Sequence, residues 1–178
     1  MPYDLTLPTP VIFFWSVIFR SDLWSEAQVL ECLVPTLPPG HQLSTSWYPS
    51  FNPSLPYYAK EMEETGVLKR FFISLLNPHD RSWLVEAKLA SVKIESTTAQ
   101  KTSARTINLD PGYVALEQLV LSTSKPYNHR IHLSQGVFTD LVFIYQNKNY
   151  QPLPWTYPDY QEPAKINYFL QLRSRIKS

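Results

Sequence analysis

Three carboxylates and one histidine stand where this chain could use them for acid–base work. Asp110 lies in Ile107-Asn108-Leu109-Asp110-Pro111-Gly112-Tyr113, and Asp159 in Pro152-Leu153-Pro154-Trp155-Thr156-Tyr157-Pro158-Asp159-Tyr160. Glu61 lies in Tyr57-Tyr58-Ala59-Lys60-Glu61-Met62, and His129 sits between Lys125 and Arg130. A positioned carboxylate or imidazole moves protons in a reaction. Asp110 with Asp159 or Glu61 could equally hold a divalent cation through oxygen ligands. Lys69, Arg70, Lys125 and Arg130 are the candidates for holding an anionic group. Trp155 and Tyr157, with Tyr113 beside Asp110, are the candidates for ring contacts.

Each residue also has a plainer role. Asp-Pro-Gly predicts a tight turn at Asp110, where an Asx-turn would occupy the carboxylate. Asp159 could cap the last helix while its aromatic neighbours clamp that segment to the core. His129 and His132 point to opposite faces of a regular strand and make a poor chelating pair. Asp140 shares a strand face with Phe138, Val142 and Ile144, so it must be paired, with Lys69, Arg70 or Lys125 as the candidate partners.

Several chemistries are excluded. The four glycines, Gly40, Gly66, Gly112 and Gly136, write neither a phosphate loop nor a G-x-G-x-x-G turn. There is no H-E-x-x-H and no G-x-S-x-G. Cys32 is the only cysteine, which rules out an intrachain disulfide or a multi-cysteine zinc site and favours a reducing cytoplasm. Sixteen basic against fifteen acidic residues leave a net charge of +1, without a strong general field for nucleic acid.

The elements that must position these residues follow from periodicity. Residues 1–10 form a proline-rich arm. Val11 to Phe19 is apolar on both faces, too short to span a membrane, and predicts a central strand covered on two sides. Ser21 or Asp22 should cap a helix with Leu23, Ala27, Leu30 and Val34 inward. Strands are expected at 41–51 and 67–75, with a loop at 49–58 and a short helix from Tyr58 to Glu64 between them. Asn77-Pro78 should then open a helix whose inner face is Leu84, Ala87, Ser91 and Ile94. A solvated connection at 96–105 leads to strands at 106–109, 119–122, 129–133 and 137–145, with Gln135-Gly136 as a hairpin turn and a polar turn at 146–149. Glu162-Pro163 opens a final helix, 162–178, with Ile166, Phe169, Leu170 and Ile176 inward and a solvated basic end. The sum is a single α+β domain with a mostly antiparallel sheet, its first part in the ferredoxin-like βαββαβ order.

Taken in order, Tyr57-Tyr58 through Glu61-Met62, Leu68-Lys69-Arg70-Phe71, Asn108 to Tyr113, Val120-Leu121-Ser122-Thr123 with Lys125, His129-Arg130-Ile131 and Trp155-Thr156-Tyr157-Pro158-Asp159 resemble the bacterial and archaeal domain-of-unknown-function family numbered 4416. Its members are single domains of about this length, so the resemblance covers nearly the whole chain. The chain departs where the family usually reads glutamate-methionine-glycine, because Glu63 stands in place of that glycine. The resemblance implies where a site lies and leaves its chemistry open. Three readings follow: a protein that binds an anionic small molecule or nucleotide and possesses a carboxylate–histidine–cation cleft suited to catalysis; a non-catalytic module for peptide or RNA; or motifs that only lock turns. No membrane partner is expected.

Overall fold

The computed structural model describes residues 5–52, 61–62, 67–99 and 104–176. A seven-stranded sheet is built from β1 (Ile12–Arg20), β2 (Leu68–Ser74), β3 (Ile107–Val114), β4 (Gln118–Thr123), β5 (Arg130–Ser134), β6 (Val137–Gln146) and β7 (Asn149–Pro152). The strand order is β2-β1-β3-β4-β6-β5, with β7 also on β6, and every pairing is antiparallel. The helices are α1 (Glu26–Leu33), α2 (Leu84–Thr98) and α3 (Pro163–Ser174).

β1 is apolar on both faces because it is covered on both. Val11, Phe13, Trp15, Val17 and Phe19 join Val29 and Leu33 of α1 and Leu84, Ala87 and Ile94 of α2 in one core. Ile12 and Phe14 join Phe169 and Leu172 of α3 in the other. The second core is a pile of rings, with Phe14 at 5.0 Å and Tyr160 at 5.8 Å from Phe169.

The first part runs β1, α1, β2, α2, β3, with β1 between β2 and β3, so it matches the βαββαβ order except for the second strand, expected at 41–51. That segment does not form the expected strand. It meets β2 through two isolated antiparallel bridges, Leu43–Leu75 and Trp47–Phe72. Trp47 is drawn toward α3, where its ring stacks on Tyr168 at 4.7 Å, so the chain leaves the sheet edge before a ladder can extend. The expected loop at 49–58 and helix from Tyr58 to Glu64 fall mostly outside the described residues, although Glu61 and Met62 are helical.

Two helix starts differ from expectation. α1 is capped by Ser25 through a reciprocal box with Gln28, while Asp22 is spent on Arg20 at 2.7 Å. The later cap changes the buried phase to Val29 and Leu33, and Leu23 and Val34 are exposed. Asp80, rather than Asn77, caps a 3-10 turn (Arg81–Trp83) that runs into α2. The expected inner face of α2 is buried, and Lys88 and Glu95 are buried with it. Gln135-Gly136 makes the β5–β6 hairpin at φ 50° and 77°, and Asn147-Lys148 at φ 52° and 62° makes a second hairpin that adds β7.

The basic end of α3 is not simply solvated. Arg173 donates to the Leu116 carbonyl at 2.8 Å and lies over the Tyr145 ring. Arg175 donates to Ser74 Oγ at 3.0 Å and to the carbonyls of Leu75 and Leu76, fastening α3 to the end of β2. Arg175→Ala should cost about 2 kcal/mol, since it strips the charged donor from three acceptors. Chemical denaturation should show the midpoint falling with the slope unchanged.

Candidate functional site

The site grows from a split in the sheet. β3 and β4 pair only at Gly112–Leu121, Tyr113–Val120 and Val114–Leu119. The next position sets Pro111 against Ser122. Proline has no N–H to donate, and its carbonyl accepts the Ser122 hydroxyl at 2.7 Å instead of a ladder bond. Below it, Ile107 to Asp110 keep their pairing with β1, and among the described residues no strand pairs with them on the β4 side. Asp110-Pro111-Gly112 is therefore the middle of a strand, not the tight turn its composition predicts.

An open edge leaves backbone groups to satisfy. Two side chains of α2 replace the missing strand. Glu95 Oε1 accepts the Leu109 N–H at 2.7 Å, and Lys88 Nζ donates to the Leu109 carbonyl at 3.2 Å. Both residues are buried for this reason. Burial pushes the Glu95 carboxyl up to about 7, with Lys88 opposing that rise and Asp110 adding to it.

Asp110 sits at the mouth of the split. Its carboxylate is 3.3 Å from Lys88 Nζ and accepts from Asn108 Nδ2 at 2.7 Å. The side chains are 41% and 5% exposed for Asp110 and Lys88, so the anion faces solvent while its cation is buried. Arg105 donates to Asn108 Oδ1 at 2.7 Å, lies 3.5 Å from Glu95 and pairs with Glu61. Glu61 also takes Lys125 at 2.6 Å. Burial, then Arg105, holds the Lys125 ammonium below the usual lysine range.

Two further groups border the split. Asp140, opposite Leu121 on β6, pairs with Arg130 at 3.0 Å and His129 at 3.5 Å, not with the three cations expected from sequence. Cross-strand register decides this, because Arg130 is directly opposite Asp140. Arg130 also donates to the Tyr157 hydroxyl at 3.1 Å, and His129 stacks on Trp155 at 4.6 Å. On the other side, Asp159 pairs with buried Arg70 and lies 3.6 Å from buried Lys165. Arg70 is held in turn by Ser16 Oγ at 2.9 Å. Asp159 does not cap α3; Glu162 occupies that position and pairs with Lys165 at 3.1 Å. The field of Asp110 reaches Lys125, Tyr157 and Tyr160, which links the three groups electrostatically.

Asp110, Glu61, Lys125, His129, Arg130, Trp155, Tyr157, Arg70 and Asp159 thus surround one face of the split. Tyr113 and Lys69 do not. Tyr113 packs on the opposite face against Phe13 at 5.8 Å, with Arg81 near its ring. Lys69 is across from Phe19 and lines a cavity of about 610 Å³ with Asp22, Glu26 and Tyr48. The two carboxylates of that cavity are already spent, Asp22 on Arg20 and Glu26 on Tyr48.

Sequence reasoning passed over Lys88, Glu95, Arg105 and Asn108. The usable signal was Lys88 and Glu95 seven residues apart inside the buried stripe of α2, where a charge needs a partner. Among the described residues, no group of three histidine, cysteine or acidic side chains is placed to hold a metal. Asp110, Glu61 and Asp159 each face a cation of the chain instead.

The family described as "Domain of unknown function (DUF4416)" matches residues 9–175, and the chain belongs to it. No curated protein and no solved structure matches the chain. Among the described residues, no helix is long and apolar enough to cross a membrane.

Proposed function

We propose that this member of the family binds a small anionic molecule of the nucleotide class at the split between β3 and β4. The observation that carries the reading is the Lys88–Asp110 pair, whose cation is buried and whose carboxylate faces outward. A solvent-facing carboxylate tied at its base by Lys88 and Asn108 is a fixed acceptor for ligand hydroxyl or amine groups. Lys125 and Arg130 would receive the anionic group, Trp155 and Tyr157 would border its ring, and His129 with Asp159 would supply proton-transfer groups. The single cysteine supports a reducing, cytoplasmic setting.

The test is a thermal-shift screen of nucleoside mono-, di- and triphosphates at about 1 mM, in which a ligand at 100 times its Kd adds about 2.7 kcal/mol of stability. Wild type should shift by several degrees. Asp110→Asn and Lys125→Ala, each confirmed as folded, should each lose most of that shift. No response in wild type, or an equal response in both variants, would remove the reading. A second reading, a peptide- or RNA-binding module, has its own observation: Tyr127, Ile131, Leu133, Trp155 and Tyr157 are all exposed, and Tyr127 lies against His129, which stacks on Trp155. Binding that survives Asp110→Asn but fails in Ile131→Asp would favour it.

A further inference from the structure

We propose that His41 and His79, away from the split, form a two-histidine site for a divalent transition-metal ion of the nickel, copper and zinc group. One ring comes from the turn before the Leu43 bridge and the other from the segment after β2. Their centres are 4.6 Å apart and their planes stand at 75°. Two imidazoles on one ion, each bonded at about 2.1 Å, bring their ring centres to roughly 4.5–5.5 Å.

His41 holds its nitrogens as a metal ligand does. Its Nδ1 lies 3.3 Å from the Pro39 carbonyl, which can only accept, so Nδ1 carries the proton. Nε2 keeps the lone pair, and a carbonyl on the far nitrogen is the usual support of a metal-binding imidazole. Among the described residues, no hydrogen bond takes a ring nitrogen of His79. Its ring is held by packing instead, 5.6 Å from Trp83 and 6.4 Å from Phe13. The backbones are fixed as well. His79 exchanges both of its hydrogen bonds with Val11, at 2.8 and 2.9 Å. His41 N–H donates to the Pro38 carbonyl at 3.1 Å across Gly40, whose φ is 77°, and Gln42 accepts the Leu76 N–H at 2.8 Å.

The flanking charge suits a cation. Asp80 accepts the Ser82 N–H at 2.7 Å and keeps its negative charge beside His79, while Arg81 is paired with Glu117 at 2.7 Å. Among the described residues, no third side chain joins the pair, so water would fill the remaining positions. Imidazole donors favour nickel, copper and zinc over magnesium and calcium, which take oxygen. A bound ion would cross-link the His41 turn to the segment that holds the start of β1. The other two of the four histidines are placed differently. His129 stacks on Trp155 with Nε2 3.5 Å from Asp140, and His132 packs on Phe138 at 5.1 Å.

Amide NMR of the tag-free full chain, titrated with copper(II) chloride, is the test. The paramagnetic ion should first broaden the amides of Val11, Gln42 and His79. His41→Phe and His79→Phe keep a ring in each place and remove the nitrogens, and the same spectra show whether each variant is folded. Each should weaken copper binding by about tenfold or more, while His132→Phe leaves it unchanged. Zinc chloride, which is diamagnetic, supplies a readout that needs no variant: it should shift the same three amides and leave those of His129 and His132 in place. Broadening or shifts centred on His129, His132 or the amino terminus overturn the proposal. Binding undiminished in both folded phenylalanine variants, or no uptake of either metal at stoichiometric concentration, overturns it too.

Discussion

Gly112→Ala should destabilise the protein by about 3 kcal/mol and lower its melting temperature by roughly 9 °C. The reason is space, because Gly112 has ordinary backbone dihedrals within β3. A Cβ there would lie 2.4 Å from the Val120 carbonyl oxygen, 2.9 Å from Leu121 Cδ2 and 3.0 Å from Phe14 Cζ. The nearest atom is backbone of β4, which is held by its own ladder to β6, so it cannot retreat without breaking that register. The strain also falls beside Asp110 and would open the split further. Gly136→Ala is the control. It meets nothing within 4 Å but sits at φ 77° in the hairpin, so only its left-handed conformation is penalised, by about 1 kcal/mol. Thermal unfolding of the two variants side by side settles the point. Equal losses would mean that close strand approach is not what requires glycine at 112.

The same residue shows why the site was only half legible in sequence. Asp-Pro-Gly is the composition of a turn, and here it serves a strand. Pro111 stands where the β4 ladder stops, and Gly112 where β4 comes too close for a side chain. Local propensity could not reveal this, because both requirements come from a strand several residues further on. Features that depend on local pattern were readable: the two-faced β1, the inner stripe of α2, the Gln135-Gly136 hairpin and the Glu162-Pro163 opening of α3. The capping box of Ser25 was present in the sequence, but the earlier Ser21 and Asp22 offered an equal start. Many of the charged site residues could be named because they crowd turn-rich segments. Their pairings could not, since Glu95 meets Leu109 across 14 residues and Arg70 meets Asp159 across 89.

Glu95→Gln should make the protein more stable at neutral and alkaline pH, and the gain should vanish in acid. Burial raises the Glu95 carboxyl from 4.5 to about 7, so the folded state holds a proton that the unfolded chain releases earlier. Below the unfolded value both states are protonated, and the group has no effect on stability. Between 4.5 and about 7 the unfolded chain ionises while the folded one does not, and stability falls as pH rises. Above about 7 the full cost is present, about 3 kcal/mol for a shift of this size. Glutamine keeps the carbonyl that accepts Leu109 N–H and carries no charge to desolvate, so it escapes this cost. That figure is already net of the attraction of Lys88, so the gain should be about 3 kcal/mol above the window. Urea unfolding at several pH values is the measurement. The wild-type curve should descend through the window and the variant curve should run flatter, meeting it near pH 4. Parallel curves would show that Glu95 is ionised at its ordinary value and that the open edge of β3 is satisfied by a full buried ion pair with Lys88. Descending curves that meet in acid would show instead that this edge is held by a carboxyl group able to exchange its proton within the physiological range.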